Sequence, residues 1–210
     1  MDAARFRSTV EESMATELDR LGSSKLLLAL TDAEMTDERV YAAAAYSEHA
    51  ARRTFDAWAD DESDADVRAA FAAVADQERE HYDRVAANLP DDFDPDDGDP
   101  LHTYLRGLDE TVPRVAAGLV GRGLVSTRTH LQVIGYFVNE GDRTGADLFR
   151  DLRAETEESL DTGLDLLAEC CSDDEDWERA RGPAEYAVQV AYDDYADSLS
   201  ALGVDPKPLC

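Results

Sequence analysis

The stretch AAVADQEREHYDRV, residues 72–85, decides the fold of this chain. It lies within a segment from about Asp64 to Ala87 that predicts a helix, because apolar residues recur there at spacings of three and four. The apolar positions of its inner face are Val67, Phe71, Val74 and Val85. Glu78 and His81 continue the same series, so the pattern predicts that a carboxylate and an imidazole face the interior of a helical bundle.

The preceding segment predicts a helix that supplies a second inward carboxylate. Thr36 is suited to cap this helix, whose first turn is acidic, and the helix is expected to end at Trp58. Within it the stretch AYSEHAARRTF, residues 45–55, places Glu48 at the edge of an apolar stripe. We therefore expect Glu48 to approach the two polar residues of the next helix.

The regions around this helix pair also have helical patterns. An amphipathic helix is expected from Ala3 to Leu21, followed by the apolar run from Leu26 to Leu30. The stretch LPDDFDPDDGDPL, residues 89–101, has neither helix nor strand periodicity and predicts a crossover linker. Because no segment has the pattern of a strand, the chain is expected to be an all-α, up-down helical bundle.

Two more bundle helices are expected after the linker. Helix three is predicted from about Leu101 to Leu119, with a kink at Pro113 and a turn near Gly121 and Gly123. Helix four is predicted to begin near Ser126. Its expected apolar face comprises Leu131, Ile134, Val138, Leu148, Phe149 and Leu152, and Val133 and Phe137 widen the apolar surface.

Helix four is predicted to be long. Gly141 and Gly145 lie on its main face at a spacing of four, which favours the close approach of another helix. The periodic pattern continues to the cysteine pair at residues 170 and 171. A last helix is expected to begin at Pro183, a residue suited to the first helical position, and to end near Gly203.

These elements divide the chain into three predicted regions. Residues 1–35 hold the N-terminal docking helix and the short apolar segment, and residues 36–152 hold the four-helix bundle. Residues 153–210 hold the extension of helix four, the C-terminal helix and the tail.

The composition predicts a folded protein adapted to concentrated salt. Acidic residues outnumber basic ones 48 to 20, the net charge is −28, and the lysines are Lys25 and Lys207. Molar salt shortens the Debye length to about 3 Å, so self-repulsion largely disappears. An acidic surface that docks a basic partner is the alternative interpretation. Direct nucleic-acid binding is disfavoured, because the chain has no basic stripe for phosphates.

Targeting signals and cysteines point to the cytoplasm. Charges interrupt the N-terminal segment where a signal peptide would be apolar, and the longest apolar run is too short to span a membrane. Cys170 and Cys171 are adjacent, so no CxxC pair is present to hold zinc or a rubredoxin-type iron. Cys210 is expected to remain reduced, with an intermolecular bridge as the alternative.

The polar residues of the bundle match half of a known metal-binding pattern. Carboxylate-bridged di-metal sites need a glutamate from each of two helices and a Glu-x-x-His pair from each of the other two. Glu48, Glu78 and His81 supply one half. A shift of 62 residues lays the first helix pair over the second, so that Glu78 meets Glu140 and Glu48 meets Glu110.

The second half of the pattern is incomplete. Glu110 lies opposite the apolar stripe of its helix and is expected to be solvated, while Glu140 is followed by Arg143 where a histidine is required. A guanidinium cannot ligate iron, but it can replace the charge of a metal by an ion pair. The predicted metal ligands are therefore Glu48, Glu78, His81 and Glu140.

Several alternatives stay open at this stage. Glu155 and Glu158 become ligands if helix four shifts register or bends, and His102 or His130 can approach an end of the bundle. The trio of Glu48, Glu78 and His81 can also be a hydrogen-bonded remnant without metal, provided that Arg143 or a proton neutralises its carboxylates. No catalytic residue is predicted.

The two quoted stretches resemble the rubrerythrin-like branch of the ferritin-like superfamily, especially its members from haloarchaea without a rubredoxin domain. The resemblance covers residues 38–87 by motif and extends to residue 152 by helix plan. It implies a ferritin-like bundle with one or two non-haem iron ions and a peroxide- or oxygen-reducing activity. A separate protein is then expected to donate electrons. The activity is implied by the resemblance and not by the spacing of the residues.

A second hypothesis belongs to a different class of function. The chain can be a metal-free helical interaction module, for example in transcription, which keeps the bundle without the chemistry. The first helix, the last helices or the tail DPKPLC would then bind a protein partner or another copy of the chain.

Overall fold

The protein is all-helical in the computed structural model, which describes residues 1–95 and 100–207. No strand occurs in these two ranges, which confirms the predicted fold class. The helices before the linker are α1 (Ala3–Ser13), α2 (Ala15–Leu21), α3 (Lys25–Leu30), α4 (Asp37–Asp61) and α5 (Ala65–Ala86). After it come α6 (Pro100–Arg106), α7 (Thr111–Arg114), a π-helical segment (Val115–Gly121), α8 (Arg122–Glu140), α9 (Arg143–Cys170) and α10 (Asp174–Ala201).

Two apolar clusters show how the four long helices are arranged. The first cluster includes Phe55, Val74, Leu124 and Leu160, and the second includes Ala45, Val85, Val133 and Leu152. The chain runs from the second cluster to the first in α4 and α9, and in the opposite direction in α5 and α8. Because α5 and α8 are parallel, the connection between these helices has to lead from the second cluster back to the first.

The terminal helices complete the first cluster. The apolar stripe predicted for the N-terminal helix is buried, although the helix is divided at Met14 into α1 and α2. These two helices pack against α8, α9 and α10, and α10 also packs on the π-helical segment. The predicted region boundary at residue 152 falls inside α9, which is a single helix.

The predicted boundaries of helices three and four are wrong. The helix after the linker ends at Arg106, and a new one begins at Thr111 and continues through the π-helical segment and α8 to Glu140. Gly121 and Gly123 lie inside this continuous helix rather than in a turn. They are glycines because a Cβ at Gly121 would lie 2.6 Å from the carbonyl oxygen of Ala184, and one at Gly123 would lie 3.1 Å from Leu160.

The turn between the third and fourth bundle helices lies at Gly141 and Asp142. Gly141 has a φ of 77°, a left-handed conformation that favours glycine at the end of a helix. The Asp142 side chain then caps α9 by accepting from the amides of Thr144 and Gly145. Gly141 therefore does not mediate close helix packing, whereas a Cβ at Gly145 would lie 2.8 Å from the Phe137 ring.

This turn changes which side of α8 is buried. Leu131 and Val138, predicted to face the core, are 51% and 53% exposed. Val133 and Phe137, which were expected to widen the apolar surface, are the residues that are buried. The single face drawn through residues 131–152 was wrong because the helical phase restarts at Gly141.

Both predictions that rested on proline also need correction. Pro113 lies in the first turn of α7, where no intrahelical bond to its nitrogen is needed, so it does not kink the helix. The last helix begins nine residues before Pro183, at Asp174, because the Asp173 side chain caps it and its first turn is acidic. Pro183 lies within α10, and the hydroxyl of Tyr104 donates to its carbonyl oxygen at 3.3 Å.

The remaining sequence predictions concern cysteines and membranes. Cys170 and Cys171 are free thiols, half-buried and buried respectively. The prediction about Cys210 and part of the linker, residues 96–99, lie outside the described residues. Among the helices that are described, none has the combination of length and hydrophobicity needed to cross a bilayer.

The contact between the π-helical segment and α10 predicts a large cost for Gly121→Ala. The added methyl group would overlap the backbone of Ala184, so the free energy of unfolding should fall by about 1–3 kcal/mol. Gly135→Ala, in open space on α8, is the matched control and should raise it by about 0.5–1 kcal/mol. Urea denaturation at fixed high salt measures both; equal effects would contradict the packing argument.

Candidate metal centre

A polar layer lies between the two apolar clusters. Each long helix contributes to it at the point where the helix passes from one cluster to the other, and Arg122 reaches it from the first turn of α8. Its members are Glu48 on α4, Glu78 and His81 on α5, Arg122 and His130 on α8, and Glu155 on α9. All of them except Glu155 are buried.

Three predicted ligands converge in this layer. One ligand atom from each of Glu48, Glu78 and His81 lies within 4.8 Å of the others. His81 Nδ1 is 3.7 Å from Glu78 Oε2 and 3.9 Å from Glu48 Oε2, distances too long for hydrogen bonds. Glu78 Oε2 and His81 Nδ1 are both buried without a hydrogen-bond partner. A buried polar atom without a partner calls for an explanation, and a bound ion is one.

The other side of the His81 ring fixes its orientation. Nε2 of His81 is 2.6 Å from Glu155 Oε2, and Arg84 holds the same carboxylate through contacts of 3.2 and 3.3 Å. Since a carboxylate only accepts, Nε2 carries a hydrogen and donates it to Glu155. In the neutral imidazole, Nδ1 therefore presents a lone pair to two carboxylates. That arrangement requires a proton on Nδ1 or on one of the carboxylates, or a metal ion between them.

Arg122 supplies one of the positive charges in the layer. Its Nη2 forms a close ion pair with Glu78 Oε1, and its guanidinium lies 5.3 Å from the centre of the Phe55 ring. Sequence reasoning did not identify this residue. The available signal was a lone arginine in the glycine-rich, apolar segment GLVGRGLV, residues 118–125, where a buried charge demands a partner.

The two histidines left as alternatives are both buried. His130 Nε2 lies 3.2 Å from Glu48 Oε1, so His130 contacts the predicted ligand set directly. His102 belongs to α6 and lies beside α4, nearer the C-terminal end of α4 than Glu48 does. Its Nδ1 is 3.0 Å from the hydroxyl of Thr54. Burial and the nearby charges of Arg122 and Arg106 hold the pKa of His102 well below its ordinary value.

Glu140 and Arg143 do not belong to the layer, and their predicted placement is wrong. Both are exposed, and they flank the turn at Gly141. Glu140 lies ten residues beyond His130 on the same helix, which corresponds to about 15 Å along its axis. The idea that an arginine replaces part of the metal charge fits the structure, but the arginine is Arg122.

The position of the turn at Gly141 also determines which glutamate of α9 lies in the polar layer. It brings Glu155 into the layer, whereas Glu158 is exposed. Glu110 is exposed too, as predicted from its helical phase. The repeat of 62 residues therefore does not describe the site, because the second hairpin has a different register.

The ionisation of the cluster depends on its contacts. Burial opposes ionisation of Glu48, but the contact with His130 and the nearby His81 imidazole outweigh it and lower the pKa of Glu48 well below its ordinary value. Burial raises the pKa of Glu78; the Arg122 guanidinium opposes this rise and the Glu48 charge adds to it. Burial also opposes protonation of His81, yet the two facing carboxylates raise its pKa to about 10.

The chain was compared with family models, curated proteins and solved structures. None of them matches it. The function must therefore be argued from the polar layer itself.

Removal of the Arg122 side chain should lower the free energy of unfolding. Arg122→Leu leaves the Glu78 carboxylate buried without its ion-pair partner, and breaking such a pair costs about 3–5 kcal/mol. The double variant Arg122→Leu/Glu78→Gln should recover part of this loss, because no charge is then left unpaired. Chemical denaturation measures the cycle; strictly additive losses would show that the two side chains are not coupled.

The His81 environment predicts a pH dependence for metal-free protein. The pKa of His81 is raised in the folded state, so its stabilisation is complete below pH 6.5 and is lost as pH rises towards 10. The difference in unfolding free energy between the wild type and His81→Gln should therefore shrink across this interval. A constant difference, measured by denaturation after chelation, would show that His81 is not protonated.

Proposed function

We propose that the protein binds a single divalent transition-metal ion through Glu48, Glu78 and His81. The observation that carries this proposal is the convergence of buried ligand atoms, of which Glu78 Oε2 and His81 Nδ1 have no hydrogen-bond partner. Carboxylate and imidazole ligands suit iron, manganese and zinc. The donor set therefore fits such an ion, and the lone pair of Nδ1 already points to the carboxylates.

The arrangement around His81 supports this proposal. Histidines that bind metals usually donate their second ring N–H to a carboxylate, which fixes the tautomer and the ring orientation. Glu155 accepts this hydrogen bond from His81, and Arg84 in turn orients Glu155. Glu155 thus acts as a positioning residue for the ligand rather than as a ligand itself.

Arg122 favours one ion over two. Two ionised carboxylates and one guanidinium leave a single negative charge in the buried layer, which a divalent ion with neutral His81 more than balances. A second ion would have to share Glu78 with Arg122, at the cost of strong charge repulsion. The site is therefore a mononuclear derivative of the predicted dinuclear pattern.

Iron is the metal that we propose, in a protein of the ferritin-like, rubrerythrin type. One long crossover between two helical hairpins is the topology of ferritin-like bundles, and it supports the resemblance found in residues 38–87. Bound iron would supply redox chemistry towards peroxide or oxygen. The chain's own residues would hold and orient it, while a separate protein partner would donate electrons.

Metal binding in molar salt tests the proposal. After chelation and reloading with Fe²⁺ under anaerobic conditions, elemental analysis should find about one ion per wild-type chain. Glu48→Gln and His81→Gln should abolish stoichiometric binding. Glu155→Gln should weaken it by about 10- to 100-fold, as is typical for a residue that orients a ligand.

Glu158→Gln is the matched control, because Glu158 is exposed on the same helix as Glu155. It should bind the ion like the wild type, which separates the site from adventitious binding to the acidic surface. Two ions per chain would overturn the role given to Arg122. Binding that survives in His81→Gln would overturn the site.

One observation favours the metal-free alternative. With His81 protonated, two carboxylates are balanced by Arg122 and His81, so the buried layer is neutral without an ion. The chain would then be a helical module for a protein partner or a second copy. The face of α8 that exposes Leu131 and Val138 suits this role better than the N-terminal helices, whose apolar stripe is already buried. A metal-free wild type that shows the pH dependence of His81 would support this alternative.

A further inference from the structure

The outer side of α8 carries an exposed stripe of uncharged residues. Leu131, Gly135 and Val138 follow one another along it at spacings of four and three, and all three are exposed. Single apolar side chains on a protein surface are ordinary. Here two large ones lie on the same helix face with a glycine between them, which is typical of a contact surface. We call these three residues the α8 stripe.

The stripe lies in the longest stretch of the sequence without a charged residue. Residues 129–139 contain no aspartate, glutamate, lysine or arginine, although these four types make up 32% of the chain. A helix face that stays hydrated in this acidic protein would be expected to carry carboxylates. Depletion of charge is instead the composition of the centre of a protein interface.

Gly135 has no packing reason within its own chain. A Cβ on Gly135 would meet no atom of the described residues within 4 Å, whereas one on Gly121 or Gly123 would press on a neighbouring helix. Glycine in the middle of a helix is less stable than alanine, so an exposed one without a packing reason needs another explanation. Close approach of a backbone from outside the chain explains it.

The charges at the two ends of the stripe complement each other. Arg128 precedes the stripe, and its quarter-exposed side chain lies 3.7 Å from the carboxylate of Glu11. Glu140 follows the stripe and is exposed. If a second α8 lies antiparallel to the first, Arg128 of each copy comes to the end that carries Glu140 of the other. A parallel second copy would place like charges together at both ends.

We propose that the α8 stripe is the contact surface of a homodimer, in which α8 crosses α8 of the second copy in antiparallel orientation at Gly135. Leu131 lies four residues before Gly135 and Val138 three residues after it. A two-fold axis beside Gly135 therefore sets Leu131 of each copy against Val138 of the other, within about 1.5 Å along the helix. The surface is then its own complement, as a two-fold interface requires.

The charge of the chain favours a second copy over other occupants. A net charge of −28 repels nucleic acid and anionic membranes, and the stripe offers no carboxylate to a basic protein. Two copies also repel each other in dilute salt, but molar salt shortens the Debye length to about 3 Å. Contact through the uncharged stripe should therefore become stronger as salt is added.

The inference goes beyond the proposed metal site and does not rest on it. The side of α8 that faces the interior carries Val133 and Phe137, which are buried. The stripe lies on the outer side, away from the polar layer. Each copy keeps its own set of metal ligands whether or not the dimer forms.

Sedimentation equilibrium of the full chain in molar salt tests the dimer. The wild type should sediment as a dimer at micromolar concentration. Leu131→Gln and Val138→Gln should each raise its dissociation constant by about tenfold or more, because every substitution changes both copies. Tyr186→Gln, on α10 and as exposed as Val138, is the matched control and should sediment like the wild type.

Gly135→Gln separates loss of the dimer from loss of the fold. Its side chain enters open space in a single chain and replaces glycine by a better helix former, so each chain should stay folded. The dimer should nevertheless weaken by about tenfold or more, since the space for the second backbone is filled. A monomeric wild type would overturn the inference, as would a dimer that the three stripe variants leave unchanged.

Disulfide cross-linking tests the orientation of the two helices. A mixture of the Leu131→Cys and Val138→Cys variants should form a disulfide between positions 131 and 138 on mild oxidation, identified by peptide mass spectrometry. Neither variant alone should link through its introduced thiol, because equal positions lie about 9–12 Å apart along antiparallel helices. Self-linking of either variant without linking in the mixture would overturn the antiparallel arrangement.

Two further measurements complete the test. Added salt should lower the dissociation constant of the dimer over the range in which the chain stays folded, and a rise would overturn the role of the uncharged stripe. Fe²⁺ uptake by the same samples separates the two proposals. Stoichiometric Fe²⁺ in a monomeric wild type overturns the dimer alone, and a stripe-dependent dimer that takes up no Fe²⁺ overturns the metal site alone.

Discussion

The structure depends on neutralising two carboxylates that are buried side by side. Glu48 and Glu78 lie in the middle of the bundle, where an unpaired charge costs several kcal/mol. Arg122 pairs with Glu78, and His130 contacts Glu48. The charge that remains must be neutralised between these carboxylates and His81 Nδ1. Whether a proton or a metal ion neutralises it separates an inert scaffold from a metalloprotein.

The sequence predicted the first half of the site better than the second. In α4 and α5 the apolar series is regular, so Glu48, Glu78 and His81 could be placed by helical phase alone. After the linker the phase was lost, because glycines serve opposite purposes there. Gly121 allows close packing inside a continuous helix, whereas Gly141 ends a helix with a positive φ. Both look alike in a sequence.

Partners across the bundle were the least predictable part of the site. The pairing of Arg122 with Glu78 and of Glu155 with His81 depends on how the second hairpin is placed against the first. Periodicity gives the inner face of each helix but not the relative height of two helices. The error about Glu140 followed from this, since the repeat assumed equal heights in both hairpins.

The contacts between α5 and α9 have a consequence for the assembly of the bundle. Their facing residues form a polar seam, in which Gln77 meets Ser159 at 3.0 Å, His81 meets Glu155 at 2.6 Å, and Arg84 reaches Asp151 at 3.2 Å. An apolar seam would tolerate slippage by one helical turn, but here a single slip would mismatch every pair at once. The polar pairs therefore select one axial alignment of the two hairpins.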